Sequence, residues 1–163
     1  MLRLLAALAL ASFPNLQAAP AVVAVRPASV SLRLTPGKPS VLRLELEVAA
    51  PYHIYSPLPV FNDEGLGPQP TAVTVKQPGA LRLAGPLQTS PAVERYDPNF
   101  RTTVLLLDGR AWIDVPLRLP DDAPPGRLAA GLVVSYQACD DEQCLAPAVV
   151  EVPVTLEVLA PKK

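Results

Sequence analysis

The sequence predicts an all-β protein built as an antiparallel sandwich, on three observations: alternating apolar and polar residues, proline-rich breaks at short intervals, and no convincing window of helical period. Alternation is the period of a strand with one face in a core and the other in water. It is cleanest at Leu42, Leu44, Leu46 and Val48 against Arg43, Glu45 and Glu47. It recurs at Val30, Leu32 and Leu34, at Ile113, Val115, Leu117 and Leu119, and at Val150, Val152, Val154, Leu156 and Val158. About eight or nine such segments fall at roughly 8–12-residue spacing, the pattern of a sandwich.

Proline supplies 21 of the 163 residues, where about 5% is usual. Half of the chain is hydrophobic, too much for disorder, so the prolines punctuate a packed fold. Pro116 and Pro153 interrupt strand-like runs; they belong on edges or bulges, because proline cannot donate to a ladder. Asp108-Gly109, between the segments 102–107 and 111–119, reads as a hairpin turn. Residues 56–70 and 86–99 read as long loops. Trp112 falls on an outward face. Neither a repeat nor a linker divides the chain, so one domain over residues 22–163 is expected.

The N-terminus has the layout of a secretory signal peptide over residues 1–21. Arg3 supplies a positive charge, residues 4–13 form an apolar run broken only by Ser12, and small residues follow at Ala18, Ala19, Ala21 and Ala24. Ala19-Pro20-Ala21 fits an Ala-x-Ala site, with cleavage bracketed between 19 and 24. The run is too short to span a bilayer, which takes about 20 apolar residues, and no later segment is long enough either. No cysteine lies there to accept a lipid. The expectation is an exported chain in the periplasm or cell envelope, with no transmembrane segment once mature. The net charge of −1, with scattered Lys and Arg, suggests neither nucleic acid nor anionic lipid as a partner.

An exported compartment permits disulfides, and Cys139 and Cys144 are the only pair available. The segment before them carries Leu128, Ala130, Leu132, Val134 and Tyr136 on one strand face. Continuing that alternation turns Cys139 away from the core stripe, toward solvent or a cleft. From spacing alone, a redox-active pair and a structural staple stand level. A ring of about six residues stabilises by only about 2 kcal/mol. Metal binding is disfavoured, since His53 is the sole histidine and a two-thiolate site lacks its other ligands. With one Met besides, a copper chaperone is short of soft ligands. No cofactor is implied. Asp140, Asp141 and Glu142 lie between the cysteines, where their charge either disfavours a thiolate or simply solvates the turn.

The string Val134-Ser135-Tyr136-Gln137-Ala138-Cys139-Asp140-Asp141-Glu142-Gln143-Cys144-Leu145-Ala146-Pro147 resembles the cysteine hairpin of the N-terminal periplasmic domain family of the thiol:disulfide interchange protein DsbD. Pro51-Tyr52-His53-Ile54-Tyr55 is similar to that family's aromatic strand, and Val93-Glu94-Arg95-Tyr96 to its acidic and aromatic cap loop. The resemblance implies an immunoglobulin-like sandwich that passes electrons to periplasmic disulfide proteins, as one component of a protein-disulfide reductase. It implies Cys144 as the attacking thiol and Cys139 as its resolving partner. His53, Tyr55, Tyr96 and Tyr136 would line the cleft, and alternation separately puts His53 and Tyr55 on one strand face, away from Tyr52 and Ile54. The implied partners are thioredoxin-like envelope proteins. Full-length DsbD continues into a membrane domain and a thioredoxin-like domain that this chain lacks, so a separate membrane thiol relay is expected as electron donor. The alternative is a non-catalytic immunoglobulin-like binding module with a structural disulfide.

Overall fold

A computed structural model describes residues 21–76 and 81–160. Apart from Ala21, the expected signal peptide lies outside these residues. Eleven strands form among them: β1 (Val23–Pro27), β2 (Ser31–Leu34), β3 (Ser40–Tyr55), β4 (Ala72–Val75), β5 (Arg82–Leu83), β6 (Gln88–Thr89), β7 (Val93–Asp97), β8 (Thr102–Arg118), β9 (Gly126–Tyr136), β10 (Ala138–Cys139) and β11 (Ala148–Val158). One sheet is built on the β3–β8 pair, with β1 and β10 along β3 and β5, β6 and β7 along β8. The other has the order β2-β11-β9-β4. All pairs are antiparallel except β2 with β11, which run parallel.

The alternation read from the sequence builds the core. Leu42, Leu44 and Leu46 of β3 and Ile113, Val115 and Leu117 of β8 point inward from one sheet, and Leu132, Val134, Val152, Val154 and Leu156 from the other. Their partners Arg43, Glu45 and Asp114 face outward, where Arg43 holds Asp114 through two hydrogen bonds of 2.7 and 2.8 Å. Trp112 also faces outward, under the Arg43 guanidinium at 4.0 Å. Val30, expected in a strand, precedes β2 and is exposed. Both interior prolines lie where one neighbouring strand is missing. Pro116 borders the gap between β5 and β6 on β8, and Pro153 precedes the point where β2 joins β11 at Thr155.

Two expectations are corrected. Asp108-Gly109 makes no hairpin: β8 runs straight through, with Gly109 at φ +53°. The irregularity lies in β3, where the register steps from Val48 opposite Gly109 to His53 opposite Asp108. The residues 49–52 bulge out between, and this bulge separates the part of β3 paired with β1 from the part paired with β10. Segment 86–99 is not simply a loop either. It contains β6 and β7, which hydrogen-bond to β8, because β8 otherwise presents a long open edge. Residues 56–70 contain no strand, as expected.

Candidate functional site

The bulge in β3 inserts an even number of residues, so the side-chain phase survives it and Ile54 still faces the main core. His53 and Tyr55 therefore face the opposite side of the sheet, the same side as Arg43 and Glu45. There the first half of the sheet is wet and charged, and the second half is dry. Tyr55, Val104, Leu106 and Cys139 form a second apolar cluster, covered by Val60, Phe100 and Cys144. The cover comes from the β3–β4 loop, which brings Val60, and from the turn after β7, which brings Phe100.

The cysteines reach this cluster because the chain changes sheets. Tyr136 pairs with Ala148 in the second sheet, yet Ala138 and Cys139 pair with Ile54 and His53 in the first. Gln137 makes the crossing, its Nε2 donating to the Leu145 carbonyl at 3.3 Å. Cys139 and Cys144 are disulfide-bonded, with Cα atoms 4.0 Å apart. The hairpin between them is closed by Asp140 N–H to Gln143 O at 2.9 Å and Leu145 N–H to Ala138 O at 2.8 Å.

Cys139 turns away from the main core, as the alternation of β9 predicts, but what it meets there is the covered cluster and not solvent: it is 0% exposed. The alternation carries across Gln137, with Tyr136 and Ala138 in the main core and Cys139 in the second cluster, so the face that is outward in β9 becomes the inner side of the covered cluster. Cys144 is partly exposed. Tyr136, expected on the cleft, is buried in the main core, since it still belongs to β9, and burial raises its pKa. Tyr96 stands exposed on β7. His53 and Tyr55 sit together as expected, but at 2% exposure each they lie beneath the cover rather than along an open cleft.

A polar chain runs through this cover. Arg95 Nη2 donates to His53 Nδ1 at 2.9 Å, which leaves the His53 Nε2 hydrogen facing the Tyr55 hydroxyl at 3.4 Å. That hydroxyl donates to Asp97 Oδ2 at 2.6 Å, and Asn99 N–H donates to Asp97 Oδ1 at 2.8 Å. Burial and then the Arg95 charge hold the His53 imidazole below its ordinary pKa. Burial and then Asp97 push the Tyr55 hydroxyl far above its own. Both groups are accordingly neutral in the folded protein at neutral pH.

The acidic turn is less free than its sequence suggests. Asp140 Oδ1 accepts the backbone N–H groups of Glu142 and Gln143, each at 2.8 Å, and these donors lower its pKa. Asp141 lies 3.5 Å from Arg95 Nη2. Glu142 is exposed. Asn99 Nδ2 donates to the Asp140 carbonyl at 3.0 Å, so Arg95 and Asn99 both tie the cysteine hairpin to the segment that covers it. Among the described residues no group of three or more His, Cys, Asp or Glu could hold a metal ion.

Sequence reasoning singled out Cys139, Cys144, His53 and Tyr55, which the fold does bring together. It missed Asp97, Asn99, Phe100, Val60, Val104 and Leu106. One signal was available: Val104-Leu105-Leu106-Leu107 is a continuous apolar run, which marks a strand covered on both faces.

Fold and site together define an immunoglobulin-like β-sandwich carrying a half-covered disulfide hairpin where the chain crosses between its sheets. Neither a family model nor a curated protein matches the sequence. Among solved structures, the DsbD N-terminal domain of Neisseria meningitidis in its reduced form is similar, with a TM-score of 0.53 and 16% identity over 83% of this chain and 85% of that one. A PapD-like domain of human CEP192 has a TM-score of 0.41 and 14% identity over 95% of this chain and 99% of that one. The CssB subunit of colonization factor CS6 of enterotoxigenic Escherichia coli has a TM-score of 0.43 and 14% identity over 85% of this chain and 97% of that one. These identities speak to fold. The first likeness is to a DsbD-like sandwich.

Proposed function

We propose that this chain is an exported thiol:disulfide interchange domain whose Cys139–Cys144 pair passes electrons to thioredoxin-like proteins of the periplasm or cell envelope. The observation that carries this reading is the unequal exposure of the two cysteines: Cys139 is sealed in an apolar cluster, while Cys144 is partly exposed. A staple needs no such asymmetry. An exchange site does, because one sulfur must meet the partner and the other must be held back to resolve the mixed disulfide.

In the reduced chain the Cys144 thiolate attacks a sulfur of the partner's disulfide. That S–S bond breaks, a mixed disulfide forms through Cys144, and the partner's second sulfur leaves as a thiolate and takes a proton. The Cys139 thiolate then attacks the Cys144 sulfur, closing the Cys139–Cys144 bond and releasing the partner's other thiol. Two electrons and two protons pass to the partner, and a separate dithiol donor, a membrane thiol relay on this reading, restores the pair. The neutral His53 and Tyr55 add no charge beside Cys139, and the hairpin ties through Arg95 and Asn99 keep both sulfurs in register for resolution.

The test is trapping. Cys139→Ala is expected to accumulate a mixed disulfide through Cys144 with thioredoxin-fold envelope proteins, seen on non-reducing gels and identified by mass spectrometry, whereas Cys144→Ala accumulates little. Equal trapping by both variants removes the assignment of roles. Trapping by neither leaves the binding module with a structural disulfide as the better account.

A further inference from the structure

Ten large apolar side chains are exposed among the described residues, and half of them belong to the two segments that cover the disulfide: Leu58, Phe61 and Leu66 on the β3–β4 loop, Val93 and Tyr96 on β7. Scattered exposed apolar residues are ordinary; a concentration beside one site is not. The three on the loop are 65%, 61% and 54% exposed.

The loop that displays them is built rather than slack. Asn62 Oδ1 accepts the N–H groups of Glu64 and Leu66, each at 2.9 Å, and its Nδ2 donates to the Phe100 carbonyl at 2.9 Å. Asn62 N–H donates to Leu66 O at 2.8 Å, and Arg101 pairs with Glu64 at 2.6 Å. A Cβ at Gly67 would lie 1.9 Å from the Val60 carbonyl oxygen, so Gly67 lets the loop close on itself. One face of this loop, through Val60, packs on the cysteine cluster. An ordered loop that holds apolar side chains in water has already met the entropy cost of presenting them to a partner.

The surrounding charge is one-sided. Asp63, Glu94 and Glu142 are exposed around the site, while its two arginines, Arg95 and Arg101, already face Asp141 and Glu64.

We infer that Leu58, Phe61 and Leu66 form a docking surface for the exchange partner, and that this partner carries its reactive disulfide in an apolar surface flanked by basic residues. The inference rests on the exchange reading above. Contact of the partner with the loop brings its disulfide toward Cys144, the partly exposed cysteine of the pair, and the acidic rim selects the basic flank.

The experiment uses the reduced mature protein and three short cystine peptides: Leu/Phe flanks with Lys ends, Ser flanks with Lys ends, and Leu/Phe flanks with Glu ends. Oxidised glutathione serves as the small-disulfide reference. Each second-order rate is divided by that of dithiothreitol with the same disulfide, which removes intrinsic disulfide reactivity. The wild type is expected to favour the Leu/Phe–Lys peptide over each of the others by at least tenfold. The Leu58→Ser, Phe61→Ser, Leu66→Ser triple variant is expected to lose the apolar preference and keep its glutathione rate. A control variant at Leu83, Leu128 and Val149, exposed elsewhere, is expected to match the wild type. Equal wild-type rates with all three peptides, or a preference kept by the triple variant, overturn the docking surface while the redox reading stands. An equal loss with glutathione shows that the loop shapes the site instead of docking a partner, which also overturns it. Failure of the wild type to exchange even with glutathione sinks the redox reading, and the docking surface with it.

Discussion

A disulfide that works by opening must leave its fold standing when open, and the structure sets what reduction costs. The two cysteines are five positions apart, so the closed ring is small and loop entropy assigns it only about 2 kcal/mol. The hairpin has other ties that do not run through the sulfurs: two backbone hydrogen bonds, two N–H groups donating to Asp140 Oδ1, and the Asn99 bond to the Asp140 carbonyl. A buried thiol at Cys139 also fits its apolar surroundings, behaving as a small hydrophobe. Urea unfolding of the oxidised and dithiothreitol-reduced protein is therefore expected to differ by about 2 kcal/mol, a midpoint shift of roughly 1 M for a domain of this size. Cys139→Ala is expected to be tolerated better than Cys139→Ser, whose hydroxyl would be buried among Tyr55, Val104 and Leu106 at about 1–3 kcal/mol unless it finds a partner. Unfolding on reduction at room temperature, or a loss above about 4 kcal/mol, would refute this reasoning and make the bridge a staple.

Further tests bear on the cover. Tyr55→Phe takes a 2.6 Å donor from the buried Asp97 carboxylate and is expected to cost about 1.5–3 kcal/mol in urea melts; a change within about 0.5 kcal/mol would show that the bond is idle. His53 is held below its ordinary pKa of 6.5 in the folded protein, so the unfolded chain takes up a proton that the fold resists. Its contribution is full above 6.5, falls as pH drops through 6.5, and levels off once the folded imidazole is protonated. The slope of stability against pH between about 7.5 and 5 is expected to be shallower in His53→Gln, and an unchanged slope would exclude the linkage. Gly67→Ala drives a methyl group onto the Val60 carbonyl and is expected to cost about 1–3 kcal/mol. It is also expected to speed alkylation of the reduced thiols by a small reagent, as Val60 lifts from the cysteine cluster; an unchanged rate would mean Val60 does not shield the sulfurs.

Which residues face the main core was legible in the sequence, because a strand has a period of two and the choice between core and water is made residue by residue. Leu42, Leu44 and Leu46 against Arg43, Glu45 and Glu47 needed no tertiary knowledge, and the same period put His53 and Tyr55 on one face. The cysteine pair was legible too, being the only pair there is. What the second face of the first sheet does could not be read this way. Alternation says that His53 and Arg43 point to the same side; it does not say that one is sealed and the other wet. That depends on Arg95, which holds His53, and on Phe100 and Val60, which cover the neighbouring cluster from segments with no strand period of their own. The burial of Cys139 likewise depends on the chain leaving one sheet at Gln137 and joining the other at Ala138, a step that keeps the alternation but replaces solvent on the far face with a covered cluster. Local pattern fixes local facing, because it reflects one residue's contact with core or solvent. Cover, sheet crossing and the Arg95–His53–Tyr55–Asp97 chain are contacts between residues far apart in sequence, and only the folded chain brings them within bonding distance.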